Sequence, residues 1–361
     1  MREVNVAKKT GITYKDAGVD IEAGDEVVRR IRRLVESTHG PRVLPLYGGF
    51  GGLFRLDYDR ELFKRNFVEP VLVSSADSVG TKVRLAFMTG VHDTVGIDLV
   101  NHCGNDIVVL GAEPLFFLDY IGTGRLSPDV AEALVAGLAE GCRETGCSLL
   151  GGETAELPGL YQPDEYDLVG FIVGVVERGK IVSGADVEPG DLVVGLAANG
   201  LHTNGYTLAR KLVFEIGGLK VGDRVDELGA TVGEAMLAPH RSYVRAVRRV
   251  LAHYRVKHVV KAMAHITGGG IPGNLARVLP PGTAARIKRG SWPEPPIFGF
   301  LQRLGDVADE EMFRVFNMGV GMTAVVSPYY ADSVLNQFRR LGHEAYLIGR
   351  ITRGRGEVVV K

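Results

Sequence analysis

Apolar and polar positions along the chain follow two periods, and the first clear one is helical. Val27, Ile31, Leu34 and Val35 form one apolar stripe, with Arg29, Arg30, Arg32 and Arg33 on the other faces. Such a charge run is read as a solvated helix face rather than a phosphate site. Residues 1–19 are polar without a period and are expected to order only conditionally. Residues 40–52 read as loop, with Pro41 and Pro45 ahead of Gly48-Gly49-Phe50-Gly51-Gly52. Short apolar runs predict strands from Pro70 to Ser75, Leu115 to Ile121, Cys147 to Leu150 and Leu168 to Val176, with a further strand from Lys82 to Phe87. Val95, Leu99, Ile107 and Leu110 have helical spacing, although Gly96 and Gly104 weaken that helix. Ser127-Pro128 starts another, which carries Val130, Leu134 and Leu138 on one face and ends at Gly146.

The stretch from Glu177 to Pro189 is polar and turn-rich, and it divides the chain into residues 1–178 and 179–361. The second half repeats the style. Strands are expected at Leu192 to Leu196, His258 to Ala264, Met322 to Val326 and Ala345 to Ile348. Helices are expected near Tyr206 to Ile216, Pro239 to His253, Pro295 to Leu304 and Ala331 to Leu341. No repeat of solenoid length is visible.

Composition narrows the function. A chain of 361 residues suggests about two domains with sizeable cores. With 42 basic and 43 acidic side chains it lacks the basic excess of a phosphate-driven nucleic-acid binder. No apolar run is long enough to span a membrane, and no signal core follows MREVNVAKKT. Cys103, Cys142 and Cys147 are too few and too scattered for a disulfide framework or a four-ligand zinc site, so a reduced, cytoplasmic protein is expected. Glycine is the oddity: 48 residues, nearly twice the average usage of ~7%.

The glycines do not make a P-loop, since no G-x-x-x-x-G-K-[ST] exists. Gly268, Gly270 and Gly273 satisfy G-x-G-x-x-G only weakly, with Pro272 inside the motif. Asp77-Ser78-Val79-Gly80-Thr81-Lys82, directly after a predicted strand, is sharper. A carboxylate there could hold Mg²⁺ and the lysine could neutralise phosphate. Asp106, within Asn105-Asp106-Ile107, and Gly151-Gly152-Glu153-Thr154-Ala155-Glu156 add two acidic patches, and the three could converge on a hard cation. His102-Cys103 followed by Asp106 is poor metal spacing, because adjacent helix residues point different ways; a structural role is expected. His202, in a loop of small polar groups, could be an acid, a base or a phosphate ligand.

Together these motifs resemble the phosphoribosylformylglycinamidine cyclo-ligase (aminoimidazole ribonucleotide synthetase) family. The similar segments run in family order over nearly the whole chain. They are TYKDAGVDI (13–21), the GGFGG loop, SADSVGTK (75–82), GIDLV with NDI, GAEPLFFLDY (111–120), GGETAELPGLY (151–161), NGLHTNGY (199–206), HITGGGIPGNL (265–275) and FNMGVGM (316–322). The resemblance implies an α+β subunit of two domains, each a mixed sheet packed by helices. It also implies a homodimer whose N-terminal domains form a barrel together. The implied reaction is ATP-dependent ring closure of formylglycinamidine ribonucleotide to 5-aminoimidazole ribonucleotide, giving ADP and phosphate, in purine biosynthesis. Lys82 and His202 would be catalytic, with His202 serving charge stabilisation or proton transfer. Lys15, Asp77, Gly80, Thr81, Lys82 and Asp106 would bind nucleotide, and Asp77 and Asp106 would hold Mg²⁺. Glu153, Thr203, Asn204, Gly268, Gly269 and Gly270 would bind substrate.

The chain departs from the family at Ser78, usually glycine, which leaves the loop shape open. It departs also at His102 and Gly104, usually methionine and valine. Related ATP enzymes, selenophosphate synthetase and thiamine-monophosphate kinase, are competing readings. The first typically carries a cysteine or selenocysteine in its N-terminal glycine-rich loop, and no cysteine precedes Cys103 here. A non-catalytic ATP-binding subunit of the same fold is a third.

Overall fold

The structure is a computed structural model describing residue 15, residues 18–44, 51–56, 67–254 and 257–361. Gly48 and Gly49 of the glycine loop, and most of the polar N-terminus, lie outside the described residues.

The first predicted helix is α1 (Ile21–Glu36), capped by the Asp20 side chain on the Glu22 and Ala23 N–H groups. A two-residue ribbon follows, β1 (Val43–Leu44) with β2 (Leu53–Phe54). Next come β3 (Pro70–Ser78), α2 (Val83–Thr89), α3 (Asp93–Val108), β4 (Glu113–Thr123), α4 (Pro128–Thr145), β5 (Ser148–Glu156) and β6 (Tyr166–Glu177). The four long strands form one mixed sheet in the order β3-β6-β4-β5, with only β4 and β5 parallel. α3 and α4 pack with α1 over one face, around Leu99, Cys103, Ile107, Phe117, Leu134 and Leu138.

The second half builds β7 (Leu192–Ala197), α5 (Tyr206–Arg210) running into a π-helical stretch over Lys211–Ile216, and a ribbon of β8 (Arg224–Val225) with β9 (Ala230–Thr231). α6 (Val232–Leu237), α7 (Val244–His253), β10 (Val260–His265), α8 (Gly270–Ala276), β11 (Thr283–Ile287), α9 (Pro296–Gly305), α10 (Asp309–Val315), β12 (Val320–Val326), α11 (Ala331–Arg340), β13 (Ala345–Arg353) and β14 (Val358–Val360) complete it. Its sheet has the order β10-β12-β7-β13-β11-β14 and is antiparallel except for β11 with β14. Two separate apolar clusters pack this half. The architecture is α+β with two sheet-based domains.

Two expectations need correction. Lys82 to Phe87 is not a strand: a single 3₁₀ turn over Gly80–Lys82 leads into α2. The helix wins because it faces two cores at once, Val83 and Ala86 joining the first domain's cluster and Leu85 the second's. The helix expected from Pro239 begins only at Val244. Residues 239–243 stay outside the helix because α3 takes their backbone groups. Asp98 accepts from the His240 N–H (2.6 Å), Asn101 donates to the His240 carbonyl (2.7 Å), and Asn105 bonds both the Arg241 carbonyl and the Tyr243 N–H (2.9 Å each). Among the described residues, no helix is long and apolar enough to cross a membrane.

Candidate active site

α3 carries the site because it is buried on every side. Leu99, Cys103 and Ile107 face the sheet, while Asp98, Asn101, His102, Asn105 and Asp106 form a polar stripe at helical spacing. That stripe meets the second domain. Cys103 turns away toward the Gly170 carbonyl (3.9 Å), as expected of a residue adjacent to His102. His102 and Asp106, four apart, share a face, so the poor-spacing argument removes Cys103 but not Asp106.

Four histidines gather there. His102 and Asp106 come from α3, His202 from the loop after β7, His240 from the irregular segment 239–243, and His265 from the end of β10. His102 Nε2 lies 2.7 Å from the Asp77 carboxylate, and its Nδ1 meets the Thr203 hydroxyl. His265 Nδ1 lies 2.8 Å from Asp106 Oδ1, whose other oxygen accepts from Ser75 Oγ (3.0 Å). His240 connects to Thr203 through Nδ1 (3.2 Å) and to His265 through Nε2 (3.1 Å). His202 stacks on His240 with centroids 4.1 Å apart. Sequence reading singled out His102 and His202 but not His240 or His265.

The charges follow from these contacts. Burial opposes charge on His102, yet the carboxylates of Asp77, Asp106 and Asp98 outweigh it and hold its pKa above the ordinary histidine value. His202 and His240 are pushed well below that value, by burial first and then by neighbouring cationic groups. His265 is lowered as well, burial outweighing its bond to Asp106. Burial raises Asp77 and Asp106, but their histidine partners prevail and both carboxyls lie below the usual range.

Lys82 does not offer its charge to open solvent. It is 0% exposed, pairs with Asp98 at 2.7 Å, and donates to the carbonyls of His202 and Ala238 (3.0 Å each). The reading of an ammonium facing phosphate gives way here to a buried strut between the domains. Burial lowers the pKa of Lys82 and raises that of Asp98, each opposed by the other's charge. His202 sits at φ 61°, in the left-handed region, and its ring packs against Gly321, where a Cβ would stand 2.6 Å from His202 Cε1. His202 Nε2 contacts Asn199 Oδ1 (3.0 Å), and its Nδ1 is buried without a partner.

The remaining predicted residues separate into those near the seam and those away from it. Thr81 meets Thr207 across the domains (3.0 Å), and Gly80 turns with φ 55°. Ser78 fits its loop: it is the last residue of β3, and its hydroxyl accepts from the Gly80 N–H (3.3 Å). Gly104 is closely packed, and a Cβ there would stand 3.1 Å from the Thr145 side chain and 3.2 Å from that of Val244. Asn204 Nδ2 is buried without a partner beside Gly268. In the Gly268–Gly270 turn the Gly270 N–H is already given to the Thr267 carbonyl (3.0 Å), so it does not face an anion. Glu153 lies on β5, at the opposite edge of the sheet from Asp77 on β3, with two strands between them. The three acidic patches therefore do not converge within one chain; Asp77 and Asp106 do. Lys15 stands near that β5 edge, paired with Asp20 (2.7 Å), whose N–H is held by Glu156 (2.7 Å).

Two family models cover most of the chain: "AIR synthase related protein, N-terminal domain" matches residues 67–176 and "AIR synthase related protein, C-terminal domain" matches 188–361. A protein of Sorangium cellulosum named phosphoribosylformylglycinamidine cyclo-ligase is 53% identical over 340 residues, covering 94% of this chain and 95% of its own. One of the same name from Brevibacillus brevis is 50% identical, covering 96% and 97%. Among solved structures, thiamine-monophosphate kinase from Stenotrophomonas maltophilia superposes with a TM-score of 0.64 at 18% identity, over 93% of this chain and 96% of the other. The hydrogenase maturation protein HypE in complex with ATP gives 0.62 at 17%, over 92% and 90%. At such identity these two share the fold.

Proposed function

This chain belongs to the phosphoribosylformylglycinamidine cyclo-ligase family, and from that premise we propose that it uses ATP and Mg²⁺ to close formylglycinamidine ribonucleotide to 5-aminoimidazole ribonucleotide, releasing ADP and phosphate. The observation that carries the reading is identity of about half over nearly the full length of relatives bearing that name. On this reading the chain works in purine biosynthesis, in the cytoplasm and as a homodimer.

The chemistry asks for what the seam supplies. An amide carbonyl is a weak electrophile and its oxygen a poor leaving group. Phosphorylating that oxygen corrects both, after which an amidine nitrogen attacks and phosphate departs. Phosphoryl transfer needs mainly positioning and neutralised charge. Asp77 and Asp106 fit Mg²⁺, being ionised oxygen donors from two elements that meet at one opening. The ion would offset charge on the phosphate oxygens. Thr81 and Gly80 lie in the turn just after the strand that carries Asp77 and would border the nucleotide, and Lys15 would close over it from the N-terminal segment. His202 is held neutral and suits proton transfer better than charge stabilisation. Lys82 would act on the reaction by fixing the His202 backbone. Thr203, Asn204 and the Gly268–Gly270 turn would border the substrate, and Glu153 would serve from the β5 edge.

The test is turnover. Folded protein incubated with ATP, Mg²⁺ and formylglycinamidine ribonucleotide should give ADP and aminoimidazole ribonucleotide in equal amounts. ATP binding without ring closure would favour a non-catalytic subunit, and no product from folded protein would overturn the reading.

A further inference from the structure

We propose that the seam between the domains binds one divalent transition-metal ion of borderline softness, of the Zn²⁺, Co²⁺ or Ni²⁺ kind, through His102, Asp106 and His265. One donor atom from each of the three lies within 4.8 Å of the others, and among the described residues no other trio of histidine, cysteine or acidic side chains does so. Two of the ligands sit four residues apart on α3, and the third ends β10 in the other domain, so the set is held by regular elements rather than by loops.

Each imidazole has an outer partner on its far nitrogen. His102 Nδ1 meets the Thr203 hydroxyl, and His265 Nε2 meets His240 at 3.1 Å. Metal-binding histidines are commonly fixed in this way, one nitrogen on the ion and the other on a second group that sets the tautomer. His265 Nδ1 is turned toward Asp106 (2.8 Å), and His102 Nε2 toward the Asp77 carboxylate (2.7 Å).

Donor and acceptor counting strengthens the case. The Asn105 amide is oriented by two backbone groups: Oδ1 accepts from the Tyr243 N–H and Nδ2 donates to the Arg241 carbonyl. That same Nδ2 lies 3.1 Å from His240 Nε2, which must then be an acceptor. His265 Nε2 lies 3.1 Å from the same atom. With its hydrogen on Nε2, a neutral His265 presents a bare Nδ1 lone pair to Asp106 Oδ1 at 2.8 Å, and a metal ion there would satisfy both atoms and take His102 as its third ligand. Two imidazoles and one carboxylate suit zinc-like ions, whereas Mg²⁺ prefers oxygen throughout. The site shares Asp106 with the Mg²⁺ reading but requires no nucleotide, so it stands or falls separately from turnover.

The experiment titrates Co²⁺ into the purified full chain, without nucleotide and in excess Mg²⁺, followed by calorimetry and visible d–d absorption. X-ray absorption then counts imidazoles around the bound ion. Expected are one Co²⁺ per chain and two imidazoles in its shell. His102→Met should weaken binding by more than about 100-fold, and Thr203→Val, which removes only an outer partner, by about tenfold. No binding by folded protein, an oxygen-only shell, or wild-type affinity in His102→Met would each overturn the proposal. Should His102→Met not fold, the ligand count and Thr203→Val decide.

Discussion

Lys82 ends three bonds on three separate stretches of chain: the Asp98 carboxylate of α3, the His202 carbonyl and the Ala238 carbonyl. Removing one partner of a buried ion pair leaves the other unsatisfied, at a cost of about 3–5 kcal/mol. Urea unfolding of Lys82→Met should show a loss of that size, with Lys82→Met/Asp98→Asn recovering part of it. A Lys82→Met protein as stable as wild type yet inactive would instead return the lysine to direct phosphate contact. Asp119 on β4 supplies a different test. Burial pushes its carboxyl up to about 7, so the folded state holds a proton that the unfolded chain releases near 3.9. Its contribution to stability is complete below about pH 4 and is lost as pH rises through 7. Asp119→Asn should therefore match wild type near pH 4 and exceed it above pH 7, by up to about 4 kcal/mol, in melts run across that range. Residue by residue, the sequence told which side chains carry chemistry better than it told their surroundings. Asp77, Asp106, His202 and Thr203 stood out in the sequence and lie around the same cluster of histidines. His240 and His265 did not stand out, because what makes them notable is a contact between segments 25 residues apart in the chain.

Helical glycines show the same gap at the level of elements. Gly96 and Gly104 weaken a helix on propensity alone. Instead Gly96, Gly137 and Gly141 are the surface along which α3 and α4 cross. A Cβ on Gly137 would collide with the Asp93 carbonyl, one on Gly96 with the Leu134 carbonyl, and one on Gly141 would stand 2.7 Å from Val100. Gly24 of α1 is chemically the same residue in open space, with nothing within 4 Å of its missing Cβ. Gly137→Ala should cost about 1–3 kcal/mol or more because backbone has to move. Gly24→Ala should gain roughly 0.5–1 kcal/mol, since only helix propensity changes there. Paired thermal melts check both, and a neutral Gly137→Ala would mean the helices part easily. Period and capping residues were enough to read α1, α3, α4 and α11 from sequence. They missed α10 and β11, and misread α2, because the deciding contacts of α2 come from two cores rather than from its own seven residues.

The two sheets differ in how they are covered, and the difference bears on the whole molecule. The six-stranded sheet lies among two apolar clusters, one containing Val193 and Val325 and the other Val194 and Ala324, neighbours along β7 and β12 that point to opposite faces. Among the described residues the four-stranded sheet has a single cluster, on the side of α3 and α4. Its other face presents Leu72 (60% exposed) and Phe171 (45% exposed), with Phe116, Leu118, Tyr120, Val169 and Val173 half-buried around them. An apolar sheet face of this kind calls for a cover, and in the homodimer we propose a second copy provides it, sheet against sheet. Sedimentation at micromolar concentration should then give twice the 39.0 kDa chain mass. Phe171→Asp puts a charge in the middle of the face, on a strand whose opposite side stays packed, and should shift the species to monomer while far-ultraviolet circular dichroism is kept. Because α3, which holds His102 and Asp106, packs on the other face of the same sheet, the monomeric variant should also lose thermal stability in the first domain before the second. A wild-type chain that sediments as a monomer at tens of micromolar would remove the second copy as the cover and leave that face to some other partner.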